Sequence, residues 1–280
     1  MTEPLLPFEA AKLKVCRAHY HIGGLRASIT TFLAGNPFAI IVEQPEAWAK
    51  LDKYVWTARI KRPVPKEFAT AIGDVVHNLR TALDLLASDL VRLNGKDTNN
   101  VYFPFAINAR KLEEQIKKKN FDRAGPHAVR LLRTYKPYTG GNSTLRALHD
   151  LDIQDKHQAL IPAISTAQMP PCTLLASNGE YCAIPSWKSA IPRDGYWLVA
   201  IPMVANMTLG TKIPANFTLV FDQDTPFAGG EALPTLSSLN ELVTSIIESF
   251  AAISAGKAFP ASASTAKGHP LVKTLIIPNP

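Results

Sequence analysis

The stretch 71-AIGDVVHNLRTALDLLASDL-90 lies in a run, from about residue 66 to Leu93, whose apolar residues recur at steps of three and four. At about 100° per residue, Phe68, Ile72, Val75, Val76, Leu79, Leu83, Leu86 and Leu90 gather on one side of a helix. That stripe has to be buried, so a long helix against a core is the first constraint on the fold. The pair 94-NG-95 supplies the glycine that ends it. The other side carries Asp74, His77, Thr81, Asp84 and Ser88, with no lysine between residues 71 and 90. A solvated face usually carries Lys and Glu. Short polar side chains with Leu85 among them predict that this second face is partly covered as well.

Around this helix the pattern changes twice. Residues 8 to 34 read as a helix with Leu13, Ile22, Leu25, Ile29 and Leu33 near one face. Segments 38-FAIIVEQ-44 and 54-YVWTARI-60 are rich in β-branched and aromatic residues and predict an antiparallel strand pair. A basic helix over 109–120, a short helix over 125–135 and a helix over 145–160 complete the first half. From residue 161 short segments, TLLAS, EYCAI, YWLVAIPM, NMTLGTK and FTLVFD, are punctuated by Pro, Gly and Asn, and predict an antiparallel β section. One more amphipathic helix follows over 233–253, with Leu236, Leu239, Leu242, Ile246 and Phe250 in its stripe.

The expected fold class is therefore α+β: a helical first half with an inserted antiparallel strand pair, then a small antiparallel β section closed by a C-terminal helix. The expected organisation is a mainly helical region over 1–160, a β section with its closing helix over 161–254, and a partly disordered Ala/Ser/Pro-biased tail over 255–280. A chain of 280 residues with 46% hydrophobic content can bury the core this requires. No run reaches the roughly 20 apolar residues of a membrane span, and the N-terminus lacks the order of a secretory signal. A soluble cytoplasmic protein without a membrane partner is expected. Cys16, Cys172 and Cys182 form no CxxC pattern and no even disulfide set, in keeping with a reducing compartment.

Chemistry, if present, is expected between two helices. In 145-LRALHDLDIQDKHQAL-160, His149, Asp152 and Lys156 fall between Leu145, Leu148 and Leu160 on the wheel and so point inward. Buried charges need partners, and His77, Arg80 and Asp84 of the long helix are the natural ones. Such a His/Asp/Arg/Lys cluster admits three readings. It can be an architectural polar network that fixes helix register. It can be a metal-free nuclease site of His77, Arg80, Asp84, His149, Asp152 and Lys156, with a histidine as acid or base and Arg80 or Lys156 against the charged phosphorane. It can be a site for a divalent transition metal held by His77, His149, Asp84 and Asp152, as in a phosphohydrolase. No other cofactor is expected. The net charge of +7 and pI of 9.3 would help a polyanion dock, but the positive charge reads as dispersed apart from 117-KKKN-120 and its flanks.

The segments 73-GDVVHNLRTALD-84 and 148-LHDLDIQDKH-157 resemble a widespread group of bacterial proteins with a GD-x-x-HNLR-x-ALD helix and a downstream DKH helix. The likeness spans roughly residues 8 to 253 and implies no particular activity. The HNLR helix is also distantly similar to the HEPN helical ribonucleases of toxin and phage-defence systems. Their active site is an Arg followed by four to six residues and a His, one helical turn apart. Here Arg80 is followed by TALDL, so Leu85 stands where that His would be. The resemblance implies a helical core that binds or cuts RNA, in a bacterial or phage-associated protein; either His77 and His149 replace the absent base in space, or the chain is not a nuclease of the HEPN kind. The alternative is a non-catalytic interaction or assembly module with a protein partner.

Overall fold

The structure, a computed structural model, describes residues 6–48, 53–157, 163–176, 178–203 and 207–256. The chain is α+β, with a helix following the last strand. Its elements are α1 (Glu9–Ala34), β1 (Phe38–Glu43), β2 (Lys53–Ile60), α2 (Glu67–Leu93), α3 (Ala109–Lys118), α4 (Pro126–Tyr135), α5 (Ser143–His157), β3 (Ala163–Met169), β4 (Cys172–Leu175), β5 (Tyr181–Ile184), β6 (Trp187–Ile191), β7 (Tyr196–Pro202), β8 (Lys212–Ile213), β9 (Asn216–Phe221) and α6 (Ala232–Ser254). Among the described residues no helix is long and apolar enough to cross a membrane. The expected tail, beyond Gly256, lies outside the described residues, as do 158–160 at the end of the expected 145–160 helix.

Two compact units form, and they do not break at residue 160. One joins the described parts of 1–37, 63–164 and 219–259, and so holds the six α-helices named above; the other joins the described parts of 38–62 and 165–218. The inserted strand pair therefore belongs with the later strands, and the closing helix belongs with the earlier helices. Apolar complementarity decides this: an amphipathic helix buries its stripe best against other helices, and a strand pair completes its ladder only beside other strands.

In the helical unit α2 is the central element, in contact with α1, α5 and α6. All eight residues of its expected stripe are buried. On the second face Thr81, Asp84, Leu85 and Ser88 are half-buried while Asp74 and His77 are exposed, so that face is covered in part, and Asn78, Arg80 and Asp89 at the flanks of the stripe are buried. Asp89 accepts a hydrogen bond from the backbone N–H of Phe8 at 2.8 Å, which ties the start of α1 to the far end of α2. Gly95, with φ of 66°, ends α2 by donating to the Arg92 carbonyl. The stripe of α1 differs from the expectation at its start. Leu13 is exposed, because Ala11, Val15 and Ala18 carry the buried line that Ile22, Leu25, Ile29 and Phe32 continue. Small alanines permit close helix approach, and they set the phase where a count of large residues misplaces it. In α6, Leu236, Leu239, Val243, Ile246 and Phe250 are buried, and Leu242 is half-buried.

In the strand unit, β1 and β2 pair antiparallel in the register Phe38↔Ile60 to Glu43↔Val55. They sit inside a sheet ordered β7-β2-β1-β8, and Tyr54, Val55, Trp56, Thr57 and Ala58 of the central β2 are all buried. Ile40, Val42, Trp56, Ala167, Met169, Ile191 and Ile201 share its core. β3 and β6, which the apolar pattern does not announce, pair antiparallel. The NMTLGTK segment is a strand only at Lys212–Ile213, because residues 208–211 form a turn with Gly210 at φ 84°.

The rings of Phe121 and Tyr135 lie 6.2 and 6.1 Å from that of Phe250, which ties α6 into the helical unit. Phe250→Ala is expected to cost about 3–5 kcal/mol, read as a lower urea midpoint of the helical signal.

Candidate functional site

α2 and α5 run antiparallel along one seam, because successive residues up α2 meet successive residues down α5. Gly73 meets Asp155, His77 meets Asp152, and Arg80 meets His149. These three contacts make the segments 73-GDVVHNLRTALD-84 and 148-LHDLDIQDKH-157 the two sides of one helix pair.

At the first contact, a Cβ on residue 73 would lie 2.5 and 2.8 Å from the two carboxylate oxygens of Asp155. With any other residue at 73 the Asp155 carboxylate would have to turn aside. Burial, followed by the charges of Asp152 and Asp74, raises the Asp155 carboxyl above the usual range, against His77 and Lys156.

The second contact is a histidine held by a buried carboxylate. Asp152 is 7% exposed in its side chain, and its Oδ1 lies 3.4 Å from His77 Nδ1. Its Oδ2 accepts from Lys156 Nζ at 2.7 Å, one turn further along α5. The His77 ring is half exposed, and its Nε2 lies 3.5 Å from Thr81 Oγ1. One side of the ring thus meets solvent while its Nδ1 faces a carboxylate, which is the arrangement that orients an imidazole and fixes its tautomer.

The third contact is closed. Arg80, 9% exposed in its side chain, donates from Nη1 to Asp84 Oδ1 at 2.6 Å, from Nη2 to the Phe103 carbonyl at 3.4 Å and from Nε to His149 Nδ1 at 3.3 Å. Its guanidinium carbon stands 4.7 Å from the centre of the Phe105 ring. That ring stacks on His149 at 4.5 Å with the planes 5° apart. Asp84 Oδ1 also accepts the Phe103 N–H at 2.9 Å. Accepting from Arg80 requires a bare Nδ1 on His149, hence a neutral ring. Burial, then Arg80, Arg146, Lys119 and Lys156, accordingly push its pKa down to about 3. Alongside, Arg146 holds Asp150 with two bonds, at 2.5 and 3.0 Å, and donates to the Ala106 carbonyl at 2.9 Å.

All six expected residues therefore line one seam, but as two groups. His77, Asp152 and Lys156 form the first, Arg80, Asp84 and His149 the second. Lys156 is not turned inward as expected: its side chain is 41% exposed, since a long stem lets the ammonium reach water while still touching Asp152. Nor do the four expected metal donors converge. His77 and Asp152 share one group, His149 and Asp84 the other, each occupied by its own cations. Among the described residues no three His, Cys, Asp or Glu side chains form a group that could hold a metal ion. His21 lies apart from the seam and lines a groove with Tyr20, Leu25, Glu67 and Phe68. The pattern of apolar and charged residues did not single out Asp155 or Phe105. The DKH segment contained the first of these, and FPF the second.

Comparison with family models, with curated proteins and with solved structures finds no match for this chain. Its function has to be argued from the seam.

Two outcomes follow from this geometry. Gly73→Ala should destabilise the protein by about 1–3 kcal/mol through overpacking. Asp155→Ala should relieve most of that loss in the double variant, as a thermodynamic cycle of urea midpoints will show. For His149, the unfolded chain takes a proton as pH falls through 6.5, while the folded one resists until about 3. Its stabilising share is thus complete above pH 6.5 and is lost toward about pH 3. Stability of His149→Asn should fall less steeply than wild type across that window.

Proposed function

We propose that the protein binds RNA and cuts it, with His77 as the acid–base group, Asp152 as the carboxylate that holds it and Lys156 as the cation beside the phosphate. The observation that carries this reading is the half-exposed His77 ring with its Nδ1 at a buried carboxylate. In the reaction His77 Nε2 takes the proton of a ribose 2′-hydroxyl as its oxygen attacks the adjacent phosphorus. The 5′-oxygen leaves and takes a proton from water, giving a cyclic phosphate. The Lys156 ammonium, at the exposed end of the same group, adjoins the charge that builds on the phosphoryl oxygens. Arg80, Asp84 and His149 keep the seam in register and touch no substrate. The distant likeness to HEPN ribonucleases supports the same substrate class, with the histidine three residues before the arginine rather than beyond it. Bacterial or phage-associated defence is the setting this likeness suggests.

The Arg80 group supports a second reading, a non-catalytic assembly module, because its polar atoms are already engaged within the protein. The two readings part in a single assay with labelled single-stranded RNA at low salt, where phosphate contacts are strongest. Binding by the wild type and slow shortening of the RNA are expected. His77→Ala should bind as well, melt at the same temperature and cut at least about 100-fold more slowly. Lys156→Ala should lower the salt dependence of binding by about 0.7 of a logarithmic unit per decade. Absence of RNA binding by the wild type overturns the proposal in favour of the assembly module.

A further inference from the structure

The positive charge of this chain is concentrated. Residues 109 to 136, from α3 to the end of α4, hold nine Lys and Arg against three acids, and the rest of the sequence holds 21 against 20. Two of the three acids, Glu113 and Glu114, are already bonded to Arg133 and Lys111. Among the described residues no salt bridge occupies Arg110, Lys117, Lys118, Lys119, Arg130 or Lys136.

An aromatic ring stands at the edge of this segment. Tyr102 is 45% exposed, while its neighbours Val101 and Phe103 are buried. Its backbone is pinned on both sides: the Tyr102 N–H donates to the Lys119 carbonyl at 3.1 Å, and the Phe103 N–H donates to Asp84. Asn120 adds a bond from its side chain to the Asn100 carbonyl. Lys119 Nζ lies 5.1 Å from the centre of the ring. Lys119 and Lys156 both lie near enough to His149 to lower its pKa, so the lysine at the ring and the lysine of the seam have a common neighbour.

We infer that Tyr102 and Lys119, at the head of the basic 109–136 segment, form a platform for single-stranded RNA, one unpaired base stacking on the ring and the flanking phosphates running along the lysines and arginines. This rests on the RNA reading of the seam and narrows it to unpaired strands. A duplex keeps its bases stacked on one another and offers a protruding ring only edges and backbone, whereas a single strand can lay any base on it. Stacking on a ring whose backbone is pinned costs little ordering, and the Lys119 ammonium, which sits over one face of the ring, can swing aside for the base and meet the phosphate that the base brings with it.

The test is fluorescence anisotropy of the full chain with a labelled 2′-O-methyl single strand, which lacks the attacking hydroxyl and stays intact, and with the corresponding duplex. Tighter binding of the single strand is expected. Tyr102→Ala should weaken that binding about tenfold and leave duplex binding unchanged, and Tyr102→Phe should restore it. Lys119→Ala should weaken both. Equal single-strand binding by Tyr102→Ala and wild type, or a preference for duplex, overturns the platform and leaves the RNA reading standing. No binding of either RNA by the wild type overturns both. A dimer in sedimentation that Tyr102→Ala dissociates assigns the ring to a second copy of the chain and likewise overturns the platform.

Discussion

The burial of Arg80 governs the helical unit. A guanidinium stays charged at any pH the protein meets, so its removal from water is tolerable only if its donors find fixed partners. Those partners come from three places: Asp84 on its own helix, the Phe103 carbonyl and Phe105 ring on the segment after α2, and His149 on α5. Satisfying one side chain therefore positions two further pieces of chain. The register of α5 against α2 follows, and with it the meeting of His77 and Asp152 one turn away. The closed group and the open group are in this sense one device, in which the first makes the geometry of the second reproducible.

The seam also separates two kinds of histidine. His149 is kept neutral by burial and by the cations around it, and it serves as an acceptor for Arg80. His77 has solvent on one side and a carboxylate on the other. Two histidines that look equivalent in the sequence thus differ in what they can do, and the difference lies in the apolar cover that Phe105 provides for one and nothing comparable provides for the other among the described residues.

Local patterns were legible and long-range ones were not. The stripe of α2 and the β1–β2 pair were readable because period and proximity suffice for them. The phase of α1 was misread because Ala11 and Ala18 carry its buried face while Leu13 does not. β3 and β6 are not announced because AISTAQM and WKSAI carry only scattered large apolar residues among small and polar ones, and their strand state comes from pairing within the sheet β6-β3-β9. In the site, opposing wheels were enough to bring six residues to one seam, but not to divide them, since that needed Phe105, whose stacking no spacing announces. Asp155 was hidden for the opposite reason. Its partner is the missing side chain of Gly73, and a close approach leaves no complementary residue to notice. The charge of 117-KKKN-120 and its flanks is visible in the sequence, and Arg130, Arg133 and Lys136, in and just after the next helix, extend it to 109–136.

The interleaving of the two units has a consequence for how the chain is made. α1 and α2 both rest against α6, the last described element to be synthesised. A nascent chain halted before Leu236 leaves the ribosome with the strands of the other unit already complete, yet with no α6 over the helices that preceded them. Apolar faces that are mutually covered in the finished protein are then open for the whole interval in which residues 165–218 and α6 are being added, at about 5–20 residues per second. For that time the helical unit is a candidate client for chaperones, and a truncation that removes α6 would convert a transient exposure into a permanent one.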